Sequence, residues 1–217
     1  GYYGLVNYID DQINRLLNPL AVLDATTMAN TIVVYISDHG EALGDHYHWC
    51  KSRPYEGAAR VPFLLRAPAR FGIEPGRVIR EAVCLEDLMP TLLELADLPV
   101  PASVDGRSAV PLLRGESSTW RPYLHGEFAC VGDWGHQTLT DGRSKYVWLP
   151  RDGRELLFDL ERDPRELRNL AGDSTRADLL LQWRDRLIRH LAERPEGFSD
   201  GRRLIAGRPF PALRASV

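Results

Sequence analysis

The stretch from residue 31 to residue 41, Thr31-Ile32-Val33-Val34-Tyr35-Ile36-Ser37-Asp38-His39-Gly40-Glu41, decides the fold class. Its first half is short, β-branched and almost wholly apolar, the pattern of a strand buried on both faces in a parallel or mixed sheet. It stops abruptly at Asp38-His39-Gly40-Glu41. In open α/β sheets ligands bind just beyond the carboxyl ends of strands, where turns and helix starts surround a crevice. A carboxylate beside an imidazole at such a point suits a divalent cation, with Gly40 letting the backbone turn tightly behind the pair. The same residues have a plainer reading, in which Asp38 caps the following turn and His39 is a hydrogen-bonded loop histidine.

Working outward, residues 2–17 carry Leu5, Val6, Ile9, Ile13, Leu16 and Leu17 at helical spacing, with Asp10, Asp11, Asn14 and Arg15 opposite. This predicts an amphipathic helix ended near Pro19. Downstream, the polar loop that runs through Ala59 is too long for a plain connector. A second strand follows at 61–66, where Pro62 marks an edge or a strand start, and a helix at 85–96. Strands alternating with helices indicate α/β organisation. Between 122 and 160 the pattern changes to antiparallel strands that turn at Asp141-Gly142 and Asp152-Gly153. A helix over 177–192, with Leu179, Leu180, Trp183, Leu187, Ile188 and Leu191 on one face, covers that small sheet. The expected organisation is an α/β portion over 1–116, a sheet-plus-helix unit over 117–194, and an Arg- and Pro-rich surface tail over 195–217.

Composition narrows the function. Lys and Arg total 27 against 30 Asp and Glu, a formal charge of -3, which removes the electrostatic case for a nucleic-acid partner. No apolar run approaches the ~20 residues of a membrane helix, and residues 1–20 lack the charged start and apolar core of a signal peptide. The reading is a soluble protein with no membrane partner, in a bacterial-type cytoplasm or periplasm. Cys50, Cys84 and Cys130 are far apart and odd in number, so free thiols are expected. Lys51 and Lys145 are the only two lysines.

The long loop holds most of the chemistry. It offers Asp45, His46, His48, Trp49 and Lys51, then Tyr55-Glu56-Gly57 and Arg60. On an extended segment His46 and His48 would face one cavity as ligands or acids, although exposed loop histidines have the same spacing. Lys51 is a compact point charge, suited to a tetrahedral oxyanion or to charge growing on a leaving oxygen. As a bare lysine it is equally a surface residue.

The run SDHGEALGDHYHWCKSRPYEGAARVPFLLRAP (37–68) resembles the sulfatase signature of the alkaline phosphatase superfamily, in which S-D-H/N-G precedes L-G-D-H, W-x-K and Y-E-G-x-x-R-V-P. The flanks agree. YYGLVNYIDDQINRLL resembles the helix before the signature strand, and CLEDLMPTLLELADLPVP with DGRSAVPLLRGE resembles the segments after it. GHQTLTDGRSKYVW and LLFDLERDPRELRNLAG are similar to the family's C-terminal strands and closing motif. The resemblance implies part of an alkaline-phosphatase-like mixed sheet with flanking helices, plus a small C-terminal antiparallel sheet covered by a helix.

It also implies roles. Asp38 and His39 are two of the metal ligands, and Lys51 contacts the sulfate and the departing ester oxygen. Calcium leads the list of cations, and an imidazole where many relatives have Asn brings manganese or zinc onto it. Glu56 and Arg60 match motif positions and are expected to pair as a bidentate clamp that holds the loop. His46 and His136 are candidates for the substrate pocket or for loop support, His136 also reading as an ordinary strand-start histidine. Such sulfatases use a formylglycine nucleophile made within C/S-x-P-x-R, a motif found nowhere in this sequence. The chain therefore resembles the C-terminal part of a sulfatase whose partner is the N-terminal part of the same enzyme, acting on a sulfate-ester small molecule or sulfated sugar; a homo-oligomer is compatible with this. The competing readings are a phosphonate monoester hydrolase or phosphodiesterase of the same superfamily, and a non-catalytic chain binding an anion or a partner protein.

Overall fold

The computed structural model describes residues 1–18, 24–116, 119–128 and 135–208. The helix α1 (Tyr2–Leu17) forms as its periodicity predicts. Pro19, where it was expected to end, lies outside the described residues, as does Cys130. No residue of α1 is buried, and Leu5, Val6, Ile9 and Leu16 on its apolar stripe are exposed. After the one-turn helix α2 (Ala25–Met28), strand β1 (Val33–Ile36) pairs antiparallel with β2 (Phe63–Arg66), Val33 opposite Arg66 and Ile36 opposite Phe63. Here the structure departs from the expected doubly buried strand, since no residue of β1 is fully buried and Tyr35 is exposed. The apolar run asks for neighbours on both edges and both faces, and the described residues give it β2 on one edge.

A one-turn helix α3 (Glu56–Ala59) closes the loop between these strands. The helix expected over 85–96 is a 3-10 turn at Leu85–Asp87 running into α4 (Leu88–Leu95). A short α5 (Val110–Arg114), with Pro111 in its first turn and Gly115 as left-handed C-cap, leads towards the second sheet. Asp87, wholly buried, ties these pieces together: Arg121 donates to both of its oxygens at 2.8 and 2.6 Å, and the Cys84 and Arg107 amides add two more bonds.

The second sheet is a four-stranded antiparallel meander, β3 (Leu124–Phe128), β4 (His136–Thr140), β5 (Ser144–Trp148) and β6 (Glu155–Asp159). Its turns fall at the two predicted Asp-Gly pairs, with Gly142 and Gly153 at φ 86° and 76°, where a side chain would be strained. Helix α6 (Ala177–Leu191) lies on one face, and Leu139, Tyr146, Trp148 and Leu157 pack there with Leu180, Trp183, Leu187 and Leu191. Phe198 completes this core at 1% exposure, edge-on to Trp148. The surface tail read from residue 195 onward is thus corrected at Phe198, where an aromatic ring gains more from the core than from water.

Strand alternation sends Lys145, Val147 and Phe158 to the opposite face, yet all three are buried. That face is covered by the loop that follows β1: the Phe158 ring meets Tyr55 at 6.1 Å, and Lys145 reaches Pro54 and Glu56. The small sheet is therefore sandwiched between its own helix and the signature loop.

Candidate active site

Two motifs zip together at the end of β1. The Gly40 amide donates to Ala58 O at 2.8 Å and the Glu41 amide to Gly57 O at 2.9 Å. A Cβ on Gly40 would lie 2.1 Å from Gly57 O, so D-H-G-E can meet Y-E-G-A only with glycine at 40. The loop between them then folds back on itself, Ala42 N donating to Cys50 O and Gly44 N to His48 O. Leu43, His46, Tyr47, Cys50 and Ser52 all adopt positive φ, a conformation non-glycine residues hold only where their surroundings over-determine it.

Asp38, His39 and Lys51 converge on the open side of this loop. The Ser37 hydroxyl donates to His39 O at 2.8 Å and the His39 amide to Asp38 Oδ1 at 2.9 Å, which fixes the turn. His39 Nδ1 donates to Gly40 O at 2.8 Å, so the network assigns the ring hydrogen to Nδ1 and leaves Nε2 as an acceptor. Lys51 Nζ donates to that Nε2 at 2.8 Å, and Asp38 Oδ2 lies 3.6 Å from the same nitrogen. A carboxylate oxygen and an imidazole nitrogen at that separation are donor types that suit a divalent cation, although here Nε2 accepts from Lys51, and the Gly40 carbonyl behind the histidine fixes the orientation of its ring. Among the described residues no group of three or more His, Cys, Asp or Glu side chains is placed to hold a metal. The chain thus brings one carboxylate, one imidazole and one ammonium group to a single point.

The other candidate residues lie elsewhere. His46 faces away from this point: its ring stacks on Tyr55 at 3.8 Å, and its Nε2 donates to Arg165 O at 2.9 Å while Asp45 pairs with the Arg165 side chain. His48 is held below its ordinary pKa by burial and by the nearby charges of Arg53 and His46. Glu56 does hold the loop, but its short partner is Lys145 at 2.6 Å; Arg60 stands 3.7 Å away on an exposed side chain and forms no bidentate clamp. His136 opens β4 on the sheet face that carries Lys145, its ring against Phe128 and its Nδ1 3.1 Å from Thr138 Oγ1. Burial first, then the charges of Lys145 and Arg53, push its pKa down to about 4.

Residues missed in the sequence are Lys145 and Glu166. Lys145 Nζ, 2.8 Å from Glu166 Oε1 and 2.6 Å from Glu56 Oε1, forms a three-charge cluster in which Lys145 and Glu166 are buried and Glu56 is partly so. Lys145 opens an apolar run, Tyr146 to Leu149, where a lysine normally marks the solvent side of a strand; Glu166 carried no signal beyond its place in the closing motif.

An antiparallel strand pair and a helix-covered antiparallel meander make up one portion of an alkaline-phosphatase-like fold. Residues 44–193 match the family described as N-sulphoglucosamine sulphohydrolase, C-terminal, and the chain belongs to the sulfatase family. It is 40% identical over 214 residues to an arylsulfatase of Clostridium perfringens, covering 98% of this chain and 44% of that one. A phosphonate monoester hydrolase from Silicibacter pomeroyi superimposes with a TM-score of 0.76 at 31% identity, covering 90% of this chain and 41% of the other. A structure described as in complex with its substrate D-glucosamine-2-N,6-O-disulfate gives 0.71 at 26% identity over 88% of this chain and 40% of its own length. The chain spans less than half the length of the relatives it matches. Among the described residues no helix is long and apolar enough to cross a membrane.

Proposed function

We propose that this chain is the C-terminal part of a metal-dependent sulfate-ester hydrolase and supplies part of its active site. The observation that supports this reading is the convergence of Asp38 Oδ2, His39 Nε2 and Lys51 Nζ just beyond β1. Asp38 and His39 would hold a divalent cation, calcium first and manganese or zinc as alternatives, and the cation when bound would supply Lewis-acid stabilisation of the sulfate. Lys51 places a fixed positive charge beside it, where negative charge grows on the leaving oxygen. His39 keeps its tautomer through the Gly40 carbonyl, so its lone pair stays directed at the site. The nucleophile is absent from these 217 residues, which contain no C/S-x-P-x-R. The substrate is a sulfate ester of a small alcohol or sugar.

A second reading, hydrolysis of a phosphonate monoester, is supported by the Silicibacter pomeroyi neighbour, whose TM-score of 0.76 stands beside 0.75 for a structure described as a 2-O GAG sulfatase. The test is hydrolysis of p-nitrophenyl sulfate and p-nitrophenyl phenylphosphonate by the whole protein that contains this chain, and by the 217-residue chain alone. Sulfate turnover by the whole protein, abolished in Asp38→Ala and lowered in Lys51→Ala, is expected. A preference for the phosphonate would select the second reading. Turnover by the isolated chain above its own Lys51→Ala control would refute the assignment of the nucleophile to another part of the protein.

A further inference from the structure

Lys51 sits between two anchors. On one side the Cys50 carbonyl is held by the Ala42 amide at 2.9 Å; on the other the Pro54 carbonyl accepts from Lys145 Nζ at 2.7 Å. Lys145 belongs to β5 of the small sheet, whereas Lys51 lies in the loop between β1 and β2. Its side chain is 2% exposed; its ammonium donates to Pro54 O and forms ion pairs with Glu56 Oε1 at 2.6 Å and Glu166 Oε1 at 2.8 Å. Glu166, itself 1% exposed, uses its second oxygen to accept the Glu56 amide at 2.6 Å. It does so from a left-handed backbone at φ 56°, held by its amide's bond to Asp163 O. Three contacts from the small sheet and the closing motif therefore grip Pro54 and Glu56, while Lys51, Ser52 and Arg53 span the gap to Cys50.

Burying charges is a poor route to stability, since apolar residues of similar volume do as well or better. Such a cluster earns its place where it sets a geometry. We propose that Lys145 and Glu166 are positioning residues for Lys51: the Lys145–Glu56–Glu166 cluster is the lock by which the C-terminal sheet fixes where the Lys51 ammonium stands relative to Asp38 and His39. The proposal rests on the assignment of Lys51 to the leaving oxygen.

The experiment is a double-mutant cycle in the whole protein, using whichever p-nitrophenyl ester it turns over, with a series of aryl leaving groups. Lys145→Met should lower kcat by about 10- to 100-fold, the range of small misplacements of catalytic groups, and most for the poorest leaving groups. In a Lys51→Ala background the same change should cost less than about twofold, because there is no longer an ammonium to position. Equal losses in both backgrounds would mean that Lys145 serves the fold alone, and no loss in either would overturn the proposal outright. Should Lys145→Met fail to fold, Glu166→Gln is run through the same cycle with the same expectations. An unaffected Lys51→Ala single variant would instead strike the functional reading, and the lock is then judged without activity. In the whole protein with Nζ-labelled lysine, the Lys51 resonance is assigned by its loss in Lys51→Ala; Glu166→Gln should move it although the two residues do not touch. An unmoved Lys51 signal refutes the lock.

Discussion

Acidification should unfold this chain through His136 before the carboxylates respond. The ring is buried at the start of β4, and burial first, then the charges of Lys145, Arg53 and His125, lower its pKa from 6.5 to about 4. A histidine with a depressed folded-state pKa binds its proton more readily when unfolded. Its neutral form therefore contributes full stability above the unfolded value near 6.5, and that contribution is lost as pH falls towards 4. The shift corresponds to about 3 kcal/mol in full, and integrating the single-site linkage gives about 2 kcal/mol lost between pH 7.5 and pH 5.

The assay is urea unfolding of wild type and His136→Gln at those two pH values. His48, His125 and His190 are also lowered, each mainly by burial, but they remain in both proteins and largely cancel. Asp87, despite its burial, and the more exposed Glu127 are held below the usual carboxylate range, chiefly by hydrogen bonds from Arg121 and Arg194, so their losses belong to lower pH. Wild type should therefore lose about 2 kcal/mol more than the variant on going to pH 5. Equal losses in the two proteins, or a wild type more stable at pH 5 than at pH 7.5, would show that His136 is not buried as a neutral ring.

Two further outcomes follow from the packing. Gly40→Ala forces a methyl onto the Gly57 carbonyl 2.1 Å away, so it should cost about 1–3 kcal/mol in urea; an unchanged midpoint would mean that the D-H-G-E and Y-E-G-A segments are not zipped. Arg121→Met strands the buried Asp87 carboxylate and should cost about 3–5 kcal/mol, part of which Asp87→Asn in the same chain should recover; a thermal melt within a degree of wild type would place Asp87 in water.

The elements were legible wherever periodicity was strong. The helix over 2–17, the two Asp-Gly hairpins and α6 all stand where apolar spacing and turn chemistry put them. The Asp38–His39–Lys51 convergence was legible from motif order, because a loop between two adjacent strands must return to where it began. Burial was not. The apolar run of β1 reads as doubly covered, yet its cover depends on neighbours that its own residues do not describe. Phe198 lies in a Pro-, Gly- and Arg-rich stretch whose composition says surface, and its burial depends on Trp148, fifty residues back.

The two faces of the small sheet explain why the loop's anchors were the hardest part to see. Alternation along β5 correctly separates Tyr146 and Trp148 from Lys145 and Val147, and α6 takes the first pair. The usual inference then assigns the second pair to solvent, where a lysine raises no question. Here the signature loop takes the place of solvent, and it presents what water would have presented: a carbonyl at Pro54 and a carboxylate at Glu56, with Glu166 arriving from the closing motif. The polar face of the strand keeps its polar partners, but they are fixed partners. That substitution turns an ordinary amphipathic strand into a support for a loop strained at five non-glycine positions, and it is why residues with no seat in the site bear on where Lys51 stands.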